Sequence, residues 1–288
     1  MKSYLDLVPQ YEKVHRKQSK MSRICIILAV FLVAVMFGLA DMYLQGITQK
    51  VMQENGDWHY QITSIDTKTS DLIAARPEVE VSGWHSTISA DAGYSISGQP
   101  IAISGLDEDV FGEIYLASLA EGKYPNAANE IAVSSVLKES NDLDLGSVID
   151  LTCPDGSTVS FSIVGFFDNP EKARLIAGSE QSVILAQEGF TTFMSASNSP
   201  ASEKYIIQLS QHCDMSSTIE KIKSQYSLSD GQIEANMNLL NIEGQLAGKT
   251  GVNQIYSIAL ILSIIVMLTC ILMISSTLNS NVTQRTKF

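Results

Sequence analysis

Residues 24–44 read ICIILAVFLVAVMFGLADMYL, and residues 255–274 read IYSIALILSIIVMLTCILMI. Asp41 is the only charged residue in the first stretch, and the second lies inside a charge-free span from Thr250 to Gln284. An α-helix rises about 1.5 Å per residue, so about twenty residues reach the ~30 Å thickness of a bilayer's hydrocarbon core. The two stretches therefore predict two membrane-crossing helices, one near each end of the 288-residue chain.

Charge is distributed unevenly about these stretches. Residues 1–23 hold six basic residues against two acids, and Arg285 and Lys287 follow the second stretch with no acid. Residues 46–252 hold 11 Lys/Arg against 28 Asp/Glu, a net charge of −17. Because basic flanks stay in the cytoplasm, both termini are predicted to be cytoplasmic and the acidic loop extracytoplasmic. The acidity of the loop argues against nucleic-acid binding, which needs a basic surface.

The N-terminal residues leave two alternatives open. Tyr4, Val8, Tyr11 and Val14 recur at helical spacing, and the cations lie off that stripe. This pattern is typical of an amphipathic helix, here from about Val8 to Lys20, that lies in the headgroup layer. The alternative is a solvated basic leader that only orients the chain. Gly38-Leu39-Ala40 resembles a signal-peptide cleavage site, but the basic lead and the apolar run are both longer than signal peptides have. We therefore expect the first helix to remain as an anchor.

The loop between the helices predicts an α/β platform with a β-rich insertion, divided into two lobes. Strand–helix–strand units are predicted near its two ends, at 58–64, 67–75 and 79–89, and at 204–209, 216–225 and 232–237. Hairpins are predicted where Ser97-Gly98 joins 94–96 to 101–104 and where Asp155-Gly156 joins 148–152 to 158–164. Helices are predicted at 109–120, 135–140, 188–196 and 239–249, the last feeding the second membrane helix without a break.

No residue pattern nominates a catalytic, cofactor or metal site. The four histidines lack metal-ligand spacing, and residues 212–214 (His-Cys-Asp) are typical of a turn. Residues 244–250 (GQLAGKT) resemble a phosphate-binding loop but have one residue too few between the glycines, which indicates a helix end. Trp58 and Trp84 are expected in the core rather than on a ligand surface. We therefore expect neither enzymatic activity nor a bound cofactor.

Two further features concern single side chains. Cys153 and Cys213 in the loop permit one disulfide, but a free pair is expected. Small polar residues within the second apolar stretch, among them Ser263 and Thr269, allow helices to approach closely. A lone anchor needs no such residues, so the second helix is predicted to pack against another helix.

Several segments resemble MacB/FtsX-type ABC transporter permeases. Residues 274–288 (ISSTLNSNVTQRTKF) resemble the exit of the second transmembrane helix in that family. Residues 121–125 (EGKYP), 129–133 (NEIAV), 145–146 (LG) and 161–166 (FSIVGF) resemble segments of its outer core domain. The resemblance implies an α+β membrane protein in which two transmembrane helices flank a large extracytoplasmic α/β domain.

The predicted organisation follows from the apolar stretches and this resemblance together. It consists of a cytoplasmic leader (1–22), a transmembrane helix (23–45), a MacB-like core domain (46–252), a second transmembrane helix (253–278) and a cytoplasmic segment (279–288). The family continues through two further helices, so a chain ending at Phe288 is expected to be a fragment or a truncated product.

The resemblance also implies partners and a function. Family members have four transmembrane helices and work as permease dimers with cytoplasmic ATPase subunits, so the chain is expected to couple ATP hydrolysis by a partner to movement of its outer domain. A second permease subunit and the lipid bilayer complete the expected partners. The contact with the ATPase is assigned to residues after the second helix: Asn281, Gln284, Arg285, Lys287 and Phe288.

Two rival functions belong to other classes. A membrane-anchored sensor with an extracytoplasmic ligand domain would need a cytoplasmic signalling module, for which the flanks are short. An exported membrane-bound enzyme would need a catalytic constellation, which the sequence does not offer.

Overall fold

The computed structural model describes residues 16–167, 169–197, 201–245 and 250–285. They form two compact units, one containing the long apolar helices except for the last residues of the first, and the other spanning Ile47–Gly248. The helices are α1 (Arg16–Asn55), α2 (Thr67–Ala74), α3 (Ser135–Asn141), α4 (Pro170–Ala177), α5 (Gln187–Ser197), α6 (Met215–Tyr226), α7 (Met237–Ile242) and α8 (Thr250–Arg285). The strands are β1 (Tyr60–Ile62), β2 (Val79–Ile88), β3 (Ser95–Ile96), β4 (Gln99–Pro100), β5 (Ala102–Leu106), β6 (Glu121–Gly122), β7 (Glu130–Ser134), β8 (Val148–Thr152), β9 (Thr158–Phe167), β10 (Ser182–Ala186), β11 (Ser202–Leu209) and β12 (Ile233–Ala235).

The membrane unit contains the two predicted spans. Segments Arg23–Asn55 and Asn253–Ser276 are long and apolar enough to cross a bilayer. Most of their large side chains are exposed, as lipid-facing side chains would be. Of the amphipathic helix predicted from about Val8 to Lys20, residues 8–15 lie outside the described part of the chain, and residues 16–20 are the first helical residues of α1.

The two long helices pack against each other in antiparallel fashion. The Cys25 thiol lies 3.7 Å from the sulfur of Met273, and the Ser263 hydroxyl lies 3.9 Å from the sulfur of Met36. As residue numbers rise along α1, those of the contacts fall along α8. Small residues are buried along this seam: Ala29, Ala40, Ala259 and Ser263. The predicted helix partner of the second span is therefore the chain's own first span.

One end of the outer unit is built from two interlocked strand–helix–strand units. Strands β1 and β2 both pair antiparallel with β11, so they run parallel to each other with β11 between them. Strands β11 and β12 likewise both pair antiparallel with β1. The resulting order, β12-β1-β11-β2, is a split βαβ arrangement of the ferredoxin-like kind. Both predicted strand–helix–strand units are confirmed, although each is split by a strand of the other.

The predicted two lobes are wrong, because the inserted segment extends the same sheet. All twelve strands belong to one sheet, whose order continues from β2 through β5, β10, β7, β9, β8, β3 and β4, with β6 on the flank of β9. Strand β5 is buried along its whole length between β2 and β10, which it meets in antiparallel and parallel pairing. This central strand joins the insertion to the platform through continuous backbone hydrogen bonds.

Helices cover the two faces of the platform. On one face, β1 and β11 pack against α2 and α6 through residues such as Ile62, Ile73 and Ile219. On the other face, the segment Val110–Ile114 and helix α4 pack around Leu106 and Ile206. A separate cluster, including Tyr94, Phe161 and Phe190, fills the far end of the sheet.

Three predicted elements differ from the structure. Segment 109–120 forms only a single π-helical turn at Val110–Ile114, because the backbone at Leu116 turns to a φ of +50° and breaks the helix. The Ser97-Gly98 hairpin closes on β4 rather than on 101–104, since Ala102–Leu106 is drawn into the central sheet. The Asp155-Gly156 hairpin is confirmed, with β8 paired along β9.

The third difference lies before the second span. The predicted helix 239–249 ends at Ile242, and Gly244 adopts a left-handed φ of +71°. The backbone N–H of Glu243 donates to the Leu239 carbonyl oxygen as the helix terminates. The prediction of an unbroken helix into the membrane is therefore wrong, while the interpretation of Gly244 as a helix end is confirmed. Residues 246–249 lie outside the described part.

Candidate functional site

The C-terminal end of α1 is bonded to several other elements of the outer unit. The last carbonyl groups of an α-helix have no partner within the helix, so they need donors from elsewhere. Here the helix stops because Gly56 adopts a left-handed φ of +87°, and the Gly56 N–H makes the last bond, to the Met52 carbonyl oxygen. A Cβ at this position would lie 3.0 Å from the Trp58 ring and 3.3 Å from the Ile114 carbonyl oxygen. A glycine at residue 56 therefore lets the helix end close against the domain.

Lys172 on α4 supplies the strongest donor to this helix end. Its ammonium Nζ donates to the Gln53 carbonyl oxygen at 2.8 Å and to the Tyr115 carbonyl oxygen at 2.6 Å. The side chain is buried, and burial lowers the pKa of Lys172 from its usual value. A cation at a helix C-terminus also interacts favourably with the helix dipole. Lys172 thus joins α1 to both α4 and the loop after the π-helical turn.

Two further side chains bond the same helix end. The indole N–H of Trp58 donates to the Asn55 carbonyl oxygen at 2.7 Å. The side-chain amide of Asn236 donates to the Gly56 carbonyl oxygen at 3.4 Å, while its own oxygen caps α7 by accepting from the Leu239 N–H. We call Trp58, Lys172 and Asn236 the stalk anchor, because they hold the end of the helix that rises from the first span.

His59 connects the chain after the first span to the chain before the second. The Leu209 backbone N–H donates to Nδ1 of His59 at 2.8 Å, so Nδ1 carries no proton and Nε2 does. Nε2 then donates to the Glu243 carboxylate at 3.0 Å. The backbone carbonyl oxygen of His59 also accepts from the Asn236 N–H. The two segments that lead to the membrane are therefore bonded to each other.

Burial near this connection affects a neighbouring acid. Asp57 has a raised pKa, chiefly because it is removed from water, while His59 lowers it and the nearby Glu243 adds to the rise. Its backbone N–H donates to the Ile114 carbonyl oxygen at 2.6 Å. The first residues after α1 are thus fixed by backbone as well as side-chain bonds.

A cleft of about 950 Å³ opens beside the anchor. Its floor is the face of β12, β1, β11 and β2 opposite to α2 and α6. Its lining includes Trp58, Asn236 and Tyr115, together with polar residues of the strands and the C-terminal end of α4. The cleft and the stalk anchor therefore share side chains.

His85 lines the cleft and is bonded to the C-terminal end of α4. Its Nε2 lies 2.9 Å from the Ile176 carbonyl oxygen, which can only accept, so Nε2 carries the proton. Its Nδ1 accepts from the Tyr115 hydroxyl at 2.7 Å. Burial, with a smaller contribution from Lys204, lowers the pKa of His85 to about 4. The ring is neutral at physiological pH and acts as a fixed structural bridge.

The residues predicted to contact the ATPase belong to the membrane unit. Asn281, Gln284 and Arg285 fall in the last turns of α8, where only the backbone is described, and Lys287 and Phe288 lie outside the described residues. Their role remains a prediction. Among the described residues, no group of three or more His, Cys, Asp or Glu side chains could hold a metal ion. All four cysteines, each within the described ranges, are free.

The other sequence interpretations can be placed directly. Trp58 is buried, and Trp84 packs edge-on against Tyr205. Trp58 also lines the cleft, so it belongs to both the core and the site. Asp214 caps α6 by accepting from the Ser217 N–H, which confirms a turn at residues 212–214.

Sequence reasoning missed Lys172 and the His59–Glu243 pair. Lys172 shares the buried stripe of α4 with Ile176, one helical turn away. A cation in an otherwise apolar stripe is a usable signal for a buried charge with partners. The His59–Glu243 pair had no such signal, because the two residues are 184 positions apart.

Comparisons with known proteins point to one family. The family model of the MacB-like periplasmic core domain matches residues 22–225, well over half of the chain. No curated protein sequence matches. The chain is similar to the periplasmic region of MacB from Actinobacillus actinomycetemcomitans, with 7% identity and a TM-score of 0.48 over 70% of this chain and 100% of that one.

Two further solved structures are similar at the same level. A domain of a putative permease protein from Porphyromonas gingivalis has 10% identity and a TM-score of 0.43, covering 63% of this chain and 87% of that one. The extracellular domain of the noncanonical ABC-type transporter YknZ from Gram-positive bacteria has 9% identity and a TM-score of 0.43, covering 62% and 98%. On the extent of the family match, this chain belongs to the MacB-like periplasmic core domain family of ABC transporter permeases.

Proposed function

We propose that the chain is a permease subunit that transmits ATP-driven motion of a cytoplasmic ATPase to its extracytoplasmic domain. The family match supports a permease-type role, since MacB-like domains belong to ABC transporters that work with a cytoplasmic ATPase. Two helices able to cross a membrane provide a mechanical route between the two sides.

The observation that carries this proposal is the continuity of α1 and the bonding of its far end. The helix runs without a break from Arg16 to Asn55, a length of about 60 Å. That is about twice the thickness of a bilayer's hydrocarbon core. Because a hydrogen-bonded helix resists bending, a displacement of its cytoplasmic end reaches the stalk anchor. Lys172, Trp58 and Asn236 then pass it to α4, β1 and α7.

The second crossing has a different mechanical character. Helix α7 ends at Ile242, before the left-handed Gly244, so α8 does not continue it. The bond between His59 and Glu243 instead ties this segment to the residues just after α1. In the proposed mechanism α1 is the rigid input, and the second crossing follows it through this bond.

Further parts of the proposal concern the cytoplasmic side. Both termini lie in the cytoplasm, where Asn281, Gln284, Arg285, Lys287 and Phe288 contact the ATPase. A second permease subunit, identical or different, completes the pair of membrane subunits. The chain itself binds no nucleotide and catalyses no reaction.

The test uses the full chain, affinity-tagged and recovered from membranes of its own host with its associated ATPase. Deleting residues 281–288 is expected to reduce co-purified ATPase at least tenfold. Lys172→Met is expected to retain the ATPase but abolish the ATP-dependent change in protease sensitivity of the outer domain. Lys221→Met, an exposed cation on α6, serves as the matched control.

Two results would contradict the proposal. Undiminished ATPase recovery with the deleted chain would remove the assigned contact. An intact ATP-dependent change in the Lys172→Met variant would show that motion does not pass through the anchor.

A further inference from the structure

The floor of the cleft places polar side chains of three strands on one face. Gln61 on β1 lies opposite Glu234 on β12 and Ile206 on β11. Lys204 is two residues before Ile206 and so points to the same face, diagonal to Gln61 at about 7 Å. Gln61, Glu234 and Lys204 all line the cleft.

The charges of the lining are balanced. Two cations, Arg174 and Lys204, and two anions, Asp91 and Glu234, line the cleft. Arg174 is paired with Glu180. For Lys204 and Glu234, no ion pair is found within the described part of the chain. A strongly anionic or cationic ligand would meet a like charge here, whereas a ligand with both signs would not.

Gln61 provides an independent indication of a ligand. The residue is only 7% exposed, and its side-chain oxygen Oε1 accepts no hydrogen bond in the structure. A buried acceptor without a donor reduces stability, so native proteins rarely leave one. Gln61 lines the cleft, and rotation of its amide about the last side-chain torsion turns Oε1 towards a ligand there, which supplies the missing donor.

We propose that the cleft binds a small zwitterion through Gln61, Glu234 and Lys204. The ammonium group of the ligand donates to Oε1 of Gln61 and pairs with the Glu234 carboxylate. Its anionic group, a carboxylate or a phosphate, pairs with the Lys204 ammonium. The size of the cleft is within the range of pockets that bind small molecules. The site goes beyond the proposed function, since it stands whether or not the domain is moved by an ATPase.

Trp58 makes this site observable. Its indole is part of both the cleft and the stalk anchor, so a bound ammonium would change its surroundings. The chain has two tryptophans, and Trp84 packs against Tyr205 on the opposite face of the sheet. Trp84→Phe therefore leaves Trp58 as the only tryptophan, which is excited selectively at 295 nm, away from the tyrosines.

Binding would be measured on the full Trp84→Phe chain in phosphatidylglycerol nanodiscs, by calorimetry and by Trp58 fluorescence. The probes are glycylglycine, which carries a carboxylate, and glycerophosphoethanolamine, which carries a phosphate. The fully capped N-acetyl-glycylglycine amide is the uncharged control. Saturable binding of either zwitterion supports the proposal. Tighter binding of glycylglycine identifies a free amino-acid-like ligand, and tighter binding of glycerophosphoethanolamine identifies a lipid headgroup.

Three variants assign the binding to the named residues. Lys204→Met and Glu234→Gln are each expected to raise the Kd at least tenfold, whereas the matched changes Lys221→Met and Glu139→Gln on exposed helix surfaces leave it unchanged. Gln61→Leu is expected to raise the melting temperature of the unliganded chain, because it removes an unpaired buried acceptor, and to weaken the probe at least tenfold.

The Gln61→Leu variant also protects the test from misfolding artefacts. A more stable but non-binding variant cannot be explained by loss of the fold. The proposal is overturned if neither zwitterion saturates, if the capped control binds equally well, or if Gln61→Leu leaves the Kd unchanged.

Discussion

Several buried polar side chains of the outer unit join segments that are distant in sequence. Lys172 bonds two carbonyl groups, and His85 bridges a hydroxyl and a carbonyl oxygen. Each of these groups would be costly to bury alone, so its bonds are needed for the fold to be stable. The fold of the outer domain therefore depends in part on a few polar contacts that lie among apolar clusters.

The buried imidazole of His85 makes stability depend on pH. Its pKa falls from 6.5 in the unfolded chain to about 4 in the fold. Below pH 6.5 the imidazole binds a proton in the unfolded chain but stays neutral in the folded one. The free energy of unfolding therefore falls as the pH drops from 6.5 towards 4. The full effect is on the order of 3 kcal/mol. It would be measured by denaturation of the full chain at pH 7 and pH 4.5.

The control is His85→Gln, whose amide can make both hydrogen bonds without titrating. Asp57 and Asp107 have raised pKa values because they are buried, so they oppose the effect of His85 by favouring the fold as the pH falls. The contribution of these two acids cancels when the free energies of unfolding of the native and His85→Gln chains are subtracted at each pH. Parallel pH profiles for the two chains would show that His85 is not the cause.

Among the secondary-structure elements, the short strand β6 depends most on close backbone approach. Its Gly122 pairs with Gly165 on β9 and has a φ of +84°. A Cβ on Gly122 would lie only 2.1 Å from the Val164 carbonyl oxygen. Two glycines therefore let β6 lie along the flank of β9, outside the main strand order.

A matched pair of substitutions separates two reasons for such a glycine, its positive φ and the lack of room for a Cβ. Gly98 has a similar φ of +78°, but no atom lies within 4 Å of the point that a Cβ would occupy, so Gly98→Ala is expected to cost about 1 kcal/mol of backbone strain. Gly122→Ala adds a clash with backbone and is expected to cost about 3 kcal/mol. Denaturant unfolding of both variants measures this. Equal losses would mean that β6 moves away without cost.

Taken as a whole, the molecule ties its two membrane crossings together within each unit. In the membrane unit, α1 and α8 meet through small residues and a contact between the Tyr256 hydroxyl and the Asp41 carboxylate. In the outer unit, His59 and Glu243 join the segments that follow and precede those helices. An acidic residue in a membrane helix is costly without such a partner. The two crossings are thus paired rather than independent.

The antiparallel pairing of the spans predicts a specific cross-link. In a Cys270→Ser background, Met273→Cys is expected to form a disulfide with Cys25 on mild oxidation, because the two sulfur atoms of the native pair are 3.7 Å apart. Leu272→Cys, whose side chain is 68% exposed, is the matched control and should not cross-link. Mass spectrometry of digested, non-reduced chain detects the bond. Equal cross-linking of both variants would contradict the antiparallel contact.

The local pattern of residues was sufficient for much of this architecture. Apolar length predicts both spans, the Asp155-Gly156 pair predicts its hairpin, and alternating patterns predict the strand–helix–strand units. These features depend on periodicity and turn chemistry within a few neighbouring residues, and such short-range patterns are visible in one sequence.

Long-range pairing had to be seen in three dimensions. The interlocking of β1 with β11 brings Gln61, Lys204 and Glu234 to one floor, and it carries Lys172 to a helix end 119 residues away. The burial of β5 likewise merges the expected two lobes into one sheet. Strand order and register are set by which distant surfaces bury the most apolar area together, and no local period in the chain records that choice.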